Sequence, residues 1–111
     1  MELRAHLRLL TAHEGGRRSP IASGYRPDVN FEPPTDHLFG VNIRFERELL
    51  YPGEEADVVI EPRCPELWKP EWLASNAAFR VCEGLRVIAV GTVLGPTPAK
   101  QKPAASQRSS R

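Results

Sequence analysis

Two adjacent arginines, Arg17 and Arg18, follow Gly15-Gly16 directly, and a Glu83-Gly84 pair stands far downstream. Guanidinium groups offer planar donor forks that can hold phosphate oxygens. On an exposed loop, the two arginines can therefore clamp the phosphates of a ligand. The same residues also have plainer uses: arginines solvate a loop, and Glu-Gly makes a hairpin turn. Trp68 and Trp72 lie in the segment CPELWKPEWLASNA, residues 64–77. Such a pair either anchors a docked protein or folds down over the open end of a small barrel. Pro70 disfavours helix at the residue before it, so the two indoles need not share one face.

The remaining chemistry-bearing residues form no catalytic constellation. His6, His13 and His37 are scattered, and Cys64 and Cys82 lack paired zinc spacing. No serine sits in a nucleophile elbow, and Ser19 precedes Pro20 in a turn where its hydroxyl caps backbone. The expectation is a non-enzyme with no catalytic residue, no metal and no cofactor, carrying two free buried thiols. A glycine-rich phosphate loop of the G-x-x-x-x-G-K-[ST] type is missing from this sequence, so GTP binding is not expected of this chain. No apolar run reaches the roughly 18 residues of a membrane span, and the opening MELRAHLRLL alternates charged and apolar residues. A cytoplasmic protein without membrane contact is expected. The formal net charge of +1 rules out whole-surface attraction to nucleic acid, so an RNA contact has to come from a local patch.

The elements that must position these residues read as strands. Leu3, Ala5, Leu7 and Leu9 alternate with Arg4, His6 and Arg8, the period of two of a half-buried strand. Val41, Ile43 and Phe45 alternate with Asn42, Arg44 and Glu46 in the same way. Shorter strands are expected over 25–31, 56–61, 78–82 and 86–94, the last apolar on both faces and suited to cover on its outside as well. Turn signals separate them at Glu14-Gly15-Gly16, Arg26-Pro27, Pro33-Pro34, Pro52-Gly53 and Glu83-Gly84. The pattern predicts an all-β domain over residues 1–95, a small closed antiparallel six-stranded barrel that leaves no edge unpaired. Gly91 inside the last strand reads as a bend or a close backbone approach. Residues 96–111 lack apolar periodicity and are rich in Pro, Ser, Ala and Gln, which predicts a disordered tail. Lys100, Lys102, Arg108 and Arg111 give that tail +4, so residues 1–95 carry −3, the difference between +1 and +4. Such a tail either adds salt-sensitive attraction to RNA or is a solvated extension.

The run GGRRSPIASGYRP, residues 15–27, resembles the third, C-terminal β-barrel domain of elongation factor Tu. That family reads GGR, a basic residue, Ser or Thr with Pro, and then GYRP. Phe31, Thr35-Asp36, Tyr51-Pro52-Gly53, Phe79, Glu83-Gly84, Arg86 and Gly91 continue the match in order, so the resemblance spans about residues 3–95. It implies a stand-alone, translation-related binding module without the GTPase domain. Its expected partner is tRNA or another structured RNA, met at Arg17, Arg18, Glu83 and Gly84. Tyr25 and Arg26 are expected to serve structure first, as barrel wall and as internal donor or interdomain contact. Departures include Asp28 and Glu32, where the family has Gln and Arg, and Val29, Asn30, Ile21 and Ala22 at aromatic positions. Two acids beside a phosphate surface are repulsive. They favour the alternative, a protein-interaction module of the same fold that docks a translation protein or itself through Trp68, Trp72, Tyr25 and Arg26.

Overall fold

The computed structural model describes residues 1–97. Among the described residues there are eight strands: β1 (Leu3–Leu9), β2 (Ile21–Ala22), β3 (Asp28–Phe31), β4 (Phe39–Arg44), β5 (Leu49–Leu50), β6 (Glu55–Pro62), β7 (Ala78–Glu83) and β8 (Arg86–Pro96). Six of them close an antiparallel barrel in the order β1-β6-β4-β3-β7-β8, with β8 returning to β1. This is the predicted all-β, six-stranded closed barrel. The pair β2–β5 forms a separate two-stranded sheet. Two residues apiece are too short to show any period.

Alternation decides which face turns inward. Leu3, Ala5, Leu7 and Leu9 of β1, Val41 and Ile43 of β4, Val58 and Ile60 of β6, and Phe79 and Val81 of β7 are all buried in one core. Their intervening neighbours Arg4, His6, Arg8 and Arg44 look outward. Gly91 sits where the wall is tightest: a Cβ there would lie 2.5 Å from the His6 carbonyl oxygen and 2.6 Å from Phe79 Cζ. The close-approach reading of that glycine therefore holds. The outer positions Val87, Val90 and Leu94 of β8 stay partly exposed, so no second layer covers this strand among the described residues.

Three expectations are corrected. The strand expected from Tyr25 starts at Asp28, because Tyr25 makes only an isolated bridge to Ile43. The barrel runs past residue 95: Pro96 pairs with Leu3, and the buried Thr97 donates its N–H to the Glu2 carbonyl at 3.1 Å. The tail expectation then falls on residues 98–111, outside the described residues. Of the two thiols only Cys82 is buried; both are free, and Cys64 is exposed because its turn lies outside the wall.

Candidate nucleic-acid interface

The loop after β1 is anchored before it reaches its arginines. Thr11 caps a short 3-10 turn, Ala12–Glu14, through a reciprocal capping box. Arg8 then clamps the Glu14 carboxylate from two guanidinium nitrogens, at 2.9 and 3.2 Å. That pair first, and the Thr11 backbone N–H second, hold Glu14 down at about 2. Gly15 follows in the left-handed region at φ 94°, turning the chain toward the barrel end.

Arg17 turns inward. Its guanidinium donates to the Glu83 carboxylate, to Ser19 Oγ at 3.0 Å and to the Ser19 and Pro20 carbonyls at 3.2 and 3.3 Å, and it lies 5.6 Å over the Tyr25 ring. Tyr25 donates its hydroxyl to the same Glu83 oxygen. Burial is the largest single influence on Arg17 and opposes its charge; the hydrogen bonds and charges of Glu83 and Tyr25 together outweigh it and raise its pKa. Burial first, and the Glu83 carboxylate second, push the Tyr25 phenol well above its ordinary range. A partly buried arginine, carboxylate and tyrosine thus staple the loop to the β7–β8 hairpin. Charge-assisted bonds of this kind are about twice as strong as neutral ones.

The geometry changes the assignments made from sequence. Arg17 and Glu83 do meet, but on one another, so most of the Arg17 donors and one of the two Glu83 oxygens are used internally. Tyr25, expected in the barrel wall, belongs to the same cluster. Arg18 is exposed and beside it; Arg86, which sequence reasoning matched without giving it a site role, joins the group. Arg17, Arg18, Arg86 and Glu83 border one depression of about 600 Å³. Neither Arg18 nor Arg86 has an ion pair among the described residues. The signal for Arg86 was available, since it starts the strand that leaves the Glu83-Gly84 turn. Gly84 takes φ 62° at the first position of that two-residue hairpin, which any other residue would resist. Leu85 at its tip is 101% exposed.

The tryptophans are not a surface anchor. Trp72 stacks on Phe31 at 4.2 Å and 3°, and Trp68 meets Phe31 edge-on at 4.9 Å. Both indoles are buried, with Phe39 beside them. They fold down over the barrel end where Phe31 and Phe79 pair, one of the two uses the sequence left open; the other, an exposed docking pair, is overturned by the apolar surface their rings cover. Arg26 is exposed and donates no hydrogen bond among the described residues, which corrects its reading as an internal donor.

The acids are also reassigned. Glu32 pairs with Arg80, and Asp28 lies 4.0 Å from Arg63. Each is compensated locally rather than opposing a ligand alone. Asn30 Oδ1 accepts from the Thr35 N–H at 2.9 Å and its hydroxyl at 3.0 Å, holding the Pro33-Pro34 loop. Among the described residues, no group of three or more His, Cys, Asp and Glu side chains could hold a metal, and no helix is long and apolar enough to cross a membrane. No protein-family model matches the chain.

Proposed function

We propose that this chain is a non-catalytic, translation-related binding module of the elongation factor Tu C-terminal barrel type, working in the cytoplasm on the backbone of a tRNA-like stem. One observation carries the reading: Arg18 and Arg86 are exposed, free of ion pairs among the described residues, and face one depression whose floor is stapled by Arg17, Glu83 and Tyr25. Two guanidinium groups on a fixed base suit phosphates at a constant spacing, as along a stem of any sequence. Arg17 and Glu83 act here as the support, and Gly84 lets the hairpin approach the strand. Translation as the process rests on the resemblance of residues 15–27 and the residues collinear with them.

The test is binding of purified protein to labelled tRNA across a salt series, beside the double variant Arg18→Ala/Arg86→Ala. The variant is expected to bind every stem sequence more weakly, with its log-log salt slope reduced by about 1 to 2. An unchanged affinity and slope overturn the reading.

A second reading, protein docking, is favoured by Leu85, which is fully exposed at the hairpin tip where burial in this chain gives it nothing. It predicts that Leu85→Ser abolishes capture of a protein partner while tRNA affinity stays at the wild-type value. Tyr25 and the tryptophans no longer belong to it, since all three serve packing or the staple.

A further inference from the structure

A second basic depression lies on the outer wall, near the start of β1, whereas the arginine loop leaves its far end. Its centre is one cross-strand row: Arg4 of β1 faces Val59 of β6, and Val59 faces Arg44 of β4. Adjacent strands lie about 4.8 Å apart, which places the two arginine stems about 10 Å apart across the valine. Their side chains are long enough to converge on one group between them. Arg47 and Phe45, just beyond β4, and Leu94 of β8 complete a hollow of about 580 Å³. Outward positions on a half-solvated sheet are ordinarily polar. Here Val59 and Leu94 are instead apolar and partly exposed, and Phe45, beyond the strand and packed partly against the core, completes an apolar floor among three guanidinium groups.

The charges at this hollow leave the arginines available. Arg44 gives one nitrogen to Glu2 at 2.8 Å, and Arg47 gives one to Glu54 at 3.0 Å. Each guanidinium has five N–H donors, so neither is exhausted. Arg4 has no ion pair among the described residues. Asp57, which also lines the hollow, is engaged by His6 Nδ1 at 2.9 Å. Glu46 at the rim is the one lining carboxylate without a partner among the described residues.

We propose that this hollow binds a small phosphorylated aromatic of the nucleoside monophosphate class, with the phosphate between Arg4 and Arg44 and the base on Val59, Phe45 and Leu94. Planar donor forks match phosphate oxygens, and a flat ring covers the apolar floor that water solvates poorly. The volume falls within the roughly 300 to 1,000 Å³ of small-molecule sites. This site is separate from the RNA-facing depression and uses none of its residues.

The experiment is an amide NMR titration of the full chain with adenosine monophosphate, adenosine and inorganic phosphate. Adenosine monophosphate is expected to give saturable shifts at Arg4, Phe45, Val59 and Leu94, with adenosine and phosphate each at least about tenfold weaker, a difference of about 1.4 kcal/mol. Arg4→Gln/Arg44→Gln is expected to lose about tenfold or more in affinity. Arg47→Gln, in a loop outside the barrel strands, is expected to weaken binding in the same direction if the double variant folds poorly. Shifts elsewhere, phosphate binding as tightly as the nucleotide, or no loss in either variant overturn the proposal. Arg18→Ala/Arg86→Ala is expected to bind the nucleotide normally, so failure of the RNA reading and failure of this one are read separately.

Discussion

The two ends of the β3–β7 pair are closed by different physics. At one, Phe31 meets Phe79 across the pair, and Trp68, Trp72 and Phe39 seal the opening by ring contact. At the other, near Glu83, closure is polar: Arg17, Tyr25 and Glu83 bond to one another beneath exposed Arg18 and Arg86. Ring packing removes apolar surface from water and leaves both indoles buried. The polar end uses one arginine internally and leaves two at the surface, so side chains of the same type stand in opposite environments.

The comparison predicts that stability and binding separate when each end is cut. Trp72→Ala is expected to cost about 3 to 5 kcal/mol, because a stacked, buried ring leaves a cavity. The check is a urea melt, and tRNA affinity under native conditions should stay at the wild-type value. A loss of RNA binding by a folded Trp72→Ala protein would break the division.

Glu83→Ala comes next. It strips the counter-charge and acceptor from a partly buried Arg17 and from the Tyr25 hydroxyl, at a cost of about 1 to 3 kcal/mol. Glu83→Gln keeps an acceptor and should lose less. Unlike Trp72→Ala, Glu83→Ala should also weaken RNA binding, since the loop bearing Arg18 loses its tie to the hairpin. Equal RNA affinity in wild type and Glu83→Ala would show that the staple does not position Arg18.

The smallest effect lies on neither end. His6 is held by Asp57 first and Glu55 second, and both raise its pKa above 6.5. A raised pKa means that this contribution is fully present below about pH 6.5 and is lost as pH rises through the folded value. Its side chain is 43% exposed, so screening holds the contribution to a few tenths of a kcal/mol. Urea midpoints at about pH 6 and about pH 9 should fall slightly more in wild type than in His6→Gln. Parallel falls would remove His6 from the account.

Much of the wall was legible because a closed barrel forces strict alternation: Leu3 to Leu9 and Val41 to Ile43 each name their inner face without reference to the rest of the chain. The end of β8 was not legible. Proline and threonine at 96 and 97 look like tail composition, yet pairing with Leu3 and the Glu2 carbonyl extends the strand over the first and the wall over the second. Of the candidate site, the residue types were readable and their roles were not. Two adjacent arginines announce a basic loop; that one turns inward and its neighbour does not depends on where Glu83 arrives.

By itself, then, the sequence determined the fold class, the six wall strands, the turn at Glu83-Gly84 and the supply of arginine at the loop, since period and turn chemistry are local properties of the chain. Tertiary structure alone decided that Trp68 and Trp72 seal the core, that Arg17 turns inward onto Glu83, and that Arg86 and Arg4 face hollows. Each of those outcomes depends on partners distant in the chain, Glu83 lying 66 positions beyond Arg17, and no local pattern encodes which of several distant groups a side chain will meet.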